Sequence, residues 1–224
     1  MSAVIEKLTP GMKKAFVIES SGNIMLPAMR LMYGAFFTTV FPSKRERDPK
    51  KKRWGGTGLI PAVADIKVLE DEINEIVGEN LTEAKRKPNA DGSLPYMHPI
   101  HKTAGNQSLA AYADEYPYFV RLGTREFDNN GKRRPAPQVL SAKGLELTEE
   151  HEADEVYNGR WFRASVNPYW YPAQEGKPGV SLGLVNIQLL HNDDPLAGGK
   201  AKASAEFEAV DIDEDEDVNE GAYE

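Results

Sequence analysis

The chain has 224 residues, 40% of them hydrophobic, with 35 acidic residues against 27 basic ones and no cysteine. This describes a globular protein with one substantial core, and the missing thiols exclude a disulfide framework, a thiolate nucleophile and cysteine-ligated zinc, a pattern that fits the cytoplasm. Eight carboxylates lie between Asp211 and Glu224 without a Lys or Arg, which leaves 27 charges of each sign in residues 1–210, so the net charge of −8 belongs to the tail.

The most apolar N-terminal stretch, IMLPAMRLMYGAFFTTVF, is broken by Pro27 and Arg30, and the residues before it do not resemble a signal sequence. Neither export nor a membrane span is expected. Residues 30–41 are rich in aromatic and β-branched side chains and stop at Pro42, which predicts a strand. The loop after it carries seven cations, Lys44, Arg45, Arg47, Lys50, Lys51, Lys52 and Arg53, against two anions. Trp54 and GGTGLIPA then open a second strand that ends at Pro61, so the pair reads as a long hairpin with a charged tip.

Ile66, Leu69, Ile73 and Ile76 recur at helical spacing, with Asp65 as N-cap and Gly78 as the stop. Residues 79–117 have weak periodicity and several Pro and Gly; they read as an extended insertion with a short helix at SLAAYADEY. YFVRLGTREF predicts a third strand, and the Asn129–Asn130–Gly131 turn followed by Lys132, Arg133 and Arg134 predicts a cationic hairpin. GRWFRASVNPYWY and GVSLGLVNIQLL are two longer strands around a Pro- and Gly-containing turn. The expected fold is mainly β, an OB-like, partly closed five-stranded barrel with one inserted helix and long loops; a β-sandwich would show similar punctuation. Residues 1–191 form its single domain, residues 192–210 a linker, and residues 211–224 a disordered acidic tail.

The strand from Arg160 to Tyr169 has two unlike faces. Phe162, Ala164 and Val166 suit a core, whereas Trp161, Arg163, Ser165, Asn167 and Tyr169 alternate aromatic with polar or cationic groups. Two readings fit the second face: an open platform where unpaired bases stack on aromatics and phosphates meet cations, or a surface buried under a second hydrophobic layer supplied by the 79–117 insertion. Strand three repeats the pattern with Phe119, Arg121 and Arg125 on one side. Lys44–Arg53 could track a phosphate backbone, with Lys132, Arg133 and Arg134 extending the patch.

Catalytic signals are lacking. Pro99 disfavours a helical metal pair at His98 and His101, GGTG at 55–58 has no following Lys-Ser or Lys-Thr, and the acids from Glu149 to Glu155 fit a solvated segment. No catalytic residue, metal site or cofactor is expected.

The order of an aromatic first strand, a basic loop, RWGGTGLIP, a helix opening at ADIKVLEDEI, and the late YNGRWFRASVNPYWY and KPGVSLGLVNIQLL blocks before an acidic end resembles a family of tailed-phage single-stranded DNA-binding proteins. Its members are similar to OB-fold replication proteins, and the likeness runs from about Leu31 to Phe207. The resemblance implies non-catalytic binding of single-stranded DNA in phage replication or recombination, within the cytoplasm of the host bacterium. It implies DNA contacts at Trp54, Trp161, Arg163 and Tyr169, and a tail that competes for the cationic groove and recruits phage or host replication proteins. A rival reading from another class is a phage structural or interaction module whose aromatic face is a protein interface.

Overall fold

The computed structural model describes residue 6, residues 8–173 and residues 176–196. Two short strands, β1 (Phe16–Val17) and β2 (Ile24–Met25), precede the expected hairpin of β3 (Met29–Val40) and β4 (Arg53–Ile60). Helix α1 (Lys67–Asn80), the single turn α2 (Glu83–Arg86) and strand β5 (Ile100–Lys102) lie between that hairpin and β6 (Tyr118–Arg125). Strand β7 (Gln138–Leu140), the turn α3 (Glu152–Glu155), β8 (Trp161–Tyr171) and β9 (Gly179–Leu189) complete the order.

Strands β3, β4, β6, β9 and β8 pair in a ring: β3 with β4, β4 with β6, β6 with β9, β9 with β8, and β8 back to β3. All of these pairings are antiparallel except β6 with β9. The ring is only partly closed. Strands β4 and β6 pair from end to end, but β3 meets β8 only where Met29 and Arg30 face Phe162 and Trp161, and β6 meets β9 only at Leu122–Leu182 and Gly123–Gly183. The molecule is thus mainly β and OB-like, with a partly ring-like sheet in place of a continuous barrel.

Alternation along each strand sends Met29, Leu31, Val120, Leu122, Phe162, Ala164, Val166, Leu182 and Leu184 into the main core. Helix α1 buries Leu69 and Ile73 in the same core, as its periodicity predicts, but in the last turn Val77 is the buried residue and Ile76 only packs against the core; Asp65 accepts the Lys67 N–H at 3.1 Å near the helix start. Gly78 does not end the helix. The buried Val77 beside it keeps the turn packed, and the helix closes at Asn80, whose side-chain amide donates to the Ile76 carbonyl at 2.8 Å.

A second apolar layer covers part of the opposite face of the ring. Leu59, Phe119, Trp161 and Met32 on the strands meet Leu8, Leu109, Tyr116 and Leu190, so the 79–117 insertion is a lid over one end of the sheet as well as a connection. Residues Asn192–Leu196 reinforce it. Asp193 accepts from the Trp161 indole at 2.8 Å and pairs with the buried Arg30 guanidinium at 2.6 Å, and the Leu196 N–H reaches the Asn158 carbonyl. Burial pushes the Tyr116 hydroxyl up to about 12. The rest of the expected linker and the whole acidic tail, residues 197–224, lie outside the described residues.

Candidate nucleic-acid interface

Beyond the edge of that lid, the same outer face is partly open among the described residues and is lined by glycine: Gly123 and Gly183 are half-buried, whereas Gly55 is buried, where a Cβ would strike the Leu122 carbonyl. Gly55 on β4 faces Gly123 on β6, Gly123 faces Gly183 on β9, and Gly183 faces Asn167 on β8, one row across four strands. Side chains from the neighbouring rows lean over this row. A Cβ at Gly123 would stand 3.3 Å from the Arg53 Cδ, and one at Gly183 would stand 3.4 Å from the Tyr169 Cε1, so the absence of side chains lets an Arg and an aromatic ring converge.

Antiparallel pairing concentrates the charge. Arg53 faces Arg125 directly, and Arg121 faces Thr57 four residues along, beyond the glycine pair. Burial, then Arg121 and Arg125, hold the Arg53 guanidinium below its ordinary value, with Tyr169 opposing them. Like charges directly across a ladder oppose folding. A sheet that tolerates them has a surface ready to receive an anion. Tyr169 is 48% exposed beside this cluster.

The basic loop is ordered by its own acids. Glu46 accepts the Arg47 and Asp48 N–H groups and pairs with Lys51 at 2.9 Å, while Asp48 accepts the Lys50 N–H. The Asp48 N–H first, then Lys51 and the Arg47 N–H, lower the Glu46 carboxyl to about 2. Lys44, Arg45, Lys50 and Lys51 are exposed, Arg47 donates to the Lys44 and Glu46 carbonyls, and Lys52 lies 5.2 Å from the Phe41 ring centroid. At the root of the loop the Lys52 carbonyl accepts the Glu126 N–H, and Glu126 pairs with Arg133 at 3.2 Å. The cationic hairpin at 126–134 therefore adjoins the loop, its turn closed by Asp128 and by Gly131 at φ +79°.

Three of the expected contact residues are not open. Trp161 is 0% exposed, sealed between the Arg30 guanidinium, 5.5 Å from its ring centroid, and Tyr116. Trp54 is 3% exposed and its indole points back to the Phe37 carbonyl. Phe119 is buried, with His101 stacked at 5.0 Å. Each carries too much apolar surface to leave in water once a covering segment exists. Trp161 and Phe119 lie in the second apolar layer with Leu109 and Tyr116, whereas Trp54 is buried outside that layer. Arg163 is half-buried and its Nε donates to Gln188 at 2.9 Å, which ties it to the β8–β9 ladder. The structure brings together Arg53, Arg121, Arg125 and Tyr169, four of the residues singled out in the sequence, beside Gly55, Gly123, Gly183 and Asn167, which were not anticipated. The one available signal was glycine inside three strands, which marks a close approach to the backbone.

His98 and His101 do not form a pair: the His98 Nδ1 engages the Ile100 backbone, and burial, then Arg121, lower the His101 imidazole. Among the described residues no group of His, Asp or Glu is placed to hold a metal, and no helix is long and apolar enough to cross a membrane.

The family model of the Enterobacter phage Enc34 ssDNA-binding protein matches residues 23–218. The chain belongs to that family. Among solved structures, it is similar to the single-stranded DNA-binding protein from bacteriophage Enc34 in complex with ssDNA, with a TM-score of 0.54 at 19% identity over 83% of this chain and 94% of that one. The C-terminal truncation of the same phage protein gives a TM-score of 0.58 at 16% identity over 82% and 93%. The crystal structure of gp2.5, a single-stranded DNA-binding protein encoded by bacteriophage T7, gives 0.55 at 12% identity over 82% and 98%. At these identities the structures establish a shared fold. No curated protein matches the chain in sequence.

Proposed function

We propose that this protein binds single-stranded DNA on the open end of its outer sheet face, with little sequence preference and without catalysis, in phage DNA replication or recombination. The observation that carries the reading is the convergence of Arg53, Arg121, Arg125 and Tyr169 on the glycine row. Arginines compensate phosphates, an exposed ring stacks on any base, and a floor without side chains admits a strand close to the backbone. The basic loop and the 126–134 hairpin extend the cationic path from the end where Arg53 meets Arg125.

A duplex suits this face less well, because its bases are already stacked and no helix among the described residues is offered to a major groove. In this reading the acidic segment 211–224 competes with DNA for the cations and recruits replication proteins once displaced. Its support is the local charge: eight carboxylates on the same chain as a cationic face, at high effective concentration.

The test is an anisotropy titration of a labelled oligothymidine with the full chain at two salt concentrations. Tight binding that falls steeply with salt, and exceeds binding to a matched duplex, is expected. Absence of binding at low salt would overturn the reading and favour a protein interface.

A further inference from the structure

Strand β8 carries a second tyrosine on its outer face that the DNA-binding reading above does not use. Trp170 packs inward against the core, so Tyr169 and Tyr171 on either side of it share the outer face, where they pair with Ser181 and Gly179 on β9. The two rings diverge. Tyr169 leans over Gly183, where its Cε1 lies 3.4 Å from the position of an added Cβ, whereas the Tyr171 hydroxyl lies 2.9 Å from the same position on Gly179. Gly183 and Gly179 flank Ser181 on its own strand, so the rings stand to either side of one small, half-buried residue.

The far wall is backed by main chain. A Cβ on Gly179 would also meet the Met97 carbonyl oxygen at 2.5 Å, and that segment is tied to β9 by the Met97 N–H on the Pro178 carbonyl and the Val180 N–H on the Met97 carbonyl. The near wall adjoins the cations. Burial, then Tyr169, push the Tyr171 hydroxyl up, and Tyr169 also acts on the Arg53 guanidinium, so it stands between the second ring and the arginine cluster. Among the described residues neither ring stacks on another aromatic and neither hydroxyl is hydrogen-bonded.

The spacing says what fits. Residues two apart on a strand stand about 7 Å apart and residues four apart about 13 Å, which bounds the gap between the two rings. A base held between two rings needs twice the stacking rise of about 3.4 Å, so the gap admits one. A base inside a duplex has both faces occupied by its neighbours, and only an unpaired base can enter.

We infer that the gap over Ser181 is a base-binding slot, walled by Tyr169 and Tyr171, which receives one unpaired base from a strand whose phosphates lie on the arginine cluster. This rests on the single-stranded DNA reading proposed above.

The experiment titrates a labelled oligothymidine with the full chain and its variants, with the thermal midpoint of each variant recorded. Tyr171→Ala should weaken binding roughly 5- to 100-fold, the range for one stacked base, and Tyr171→Phe, which keeps the ring, should stay within about 2-fold of the unsubstituted protein. Ser181→Leu fills the slot while leaving both rings in place and should weaken binding about 5-fold or more, whereas Ser181→Ala leaves it open and should bind within about 2-fold. Because both rings hold the same base, the combined Tyr169→Ala and Tyr171→Ala loss should fall short of the product of the single losses by about 2-fold or more. Ser181→Leu decides the matter if Tyr171→Ala lowers the thermal midpoint. Undiminished affinity in Tyr171→Ala or Ser181→Leu, or tyrosine losses that simply multiply, overturns the slot while leaving the single-stranded DNA reading intact. Failure of the unsubstituted protein to bind the oligonucleotide overturns both.

Discussion

The two ends of the outer sheet face are made of the same strands and the same alternation, yet they have opposite fates. At the covered end Trp161, Leu59 and Phe119 lie under Leu109 and Tyr116, with Arg30 and Asp193 paired beside them. At the open end Arg53, Arg121, Arg125 and Tyr169 surround glycines and meet no such lid among the described residues. What differs is the covering segment. An aromatic–arginine alternation on a strand is therefore ambiguous until the chain that crosses it is known, and in this molecule it is a core motif at Trp161 and a surface motif at Tyr169, eight residues later.

The comparison breaks most readily at Trp161. Trp161→Ala should cost about 3–5 kcal/mol of stability in a urea titration, on the scale expected for Phe162→Ala, because both rings are in a packed interior. A folded Trp161→Ala protein that had lost only DNA affinity would reverse the assignment. Asp193→Ala should follow at about 2–4 kcal/mol, since it leaves the buried Arg30 without its carboxylate and the Trp161 indole without its acceptor.

At the open end the effects move from stability to binding. Tyr169→Ala should lose about 1–3 kcal/mol of oligothymidine affinity and change stability by less than about 0.5 kcal/mol. Arg121→Ala should lower the slope of log affinity against log salt by about 1, the signature of one lost phosphate contact. A Tyr169→Ala protein that unfolds, or an Arg121→Ala protein with an unchanged slope, would erase the distinction between the two ends.

Much of the fold was legible from local pattern. The β3–β4 hairpin with its basic tip, the α1 stripe, strand β6 and the long β8–β9 pair each follow from hydrophobic period and turn residues. Partial closure was expected from the number and order of the strands, but the pairing that makes it was not. Closure depends on parallel pairing of β6 with β9 at Leu122 and Gly123, a non-local contact between short segments with no signature in either. Strands β1 and β2 are too short to show a period. Within the site, Arg121, Arg125 and Tyr169 were readable from alternation, but their meeting with Arg53 required the β4–β6 register, and the burial of Trp54, Trp161 and Phe119 required packing against residues distant in sequence.

The central claim, that single-stranded DNA lies across the open end and leaves the covered end untouched, is tested most directly by amide and indole NMR of the labelled protein titrated with oligothymidine. The glycine amides of Gly55, Gly123 and Gly183 should shift together with those of Arg53 and Tyr169, while the Trp161 indole and the amides of Leu109 and Tyr116 stay in place. Shifts confined to Trp161, Leu109 and Tyr116, with the three glycines unmoved at saturation, would contradict it.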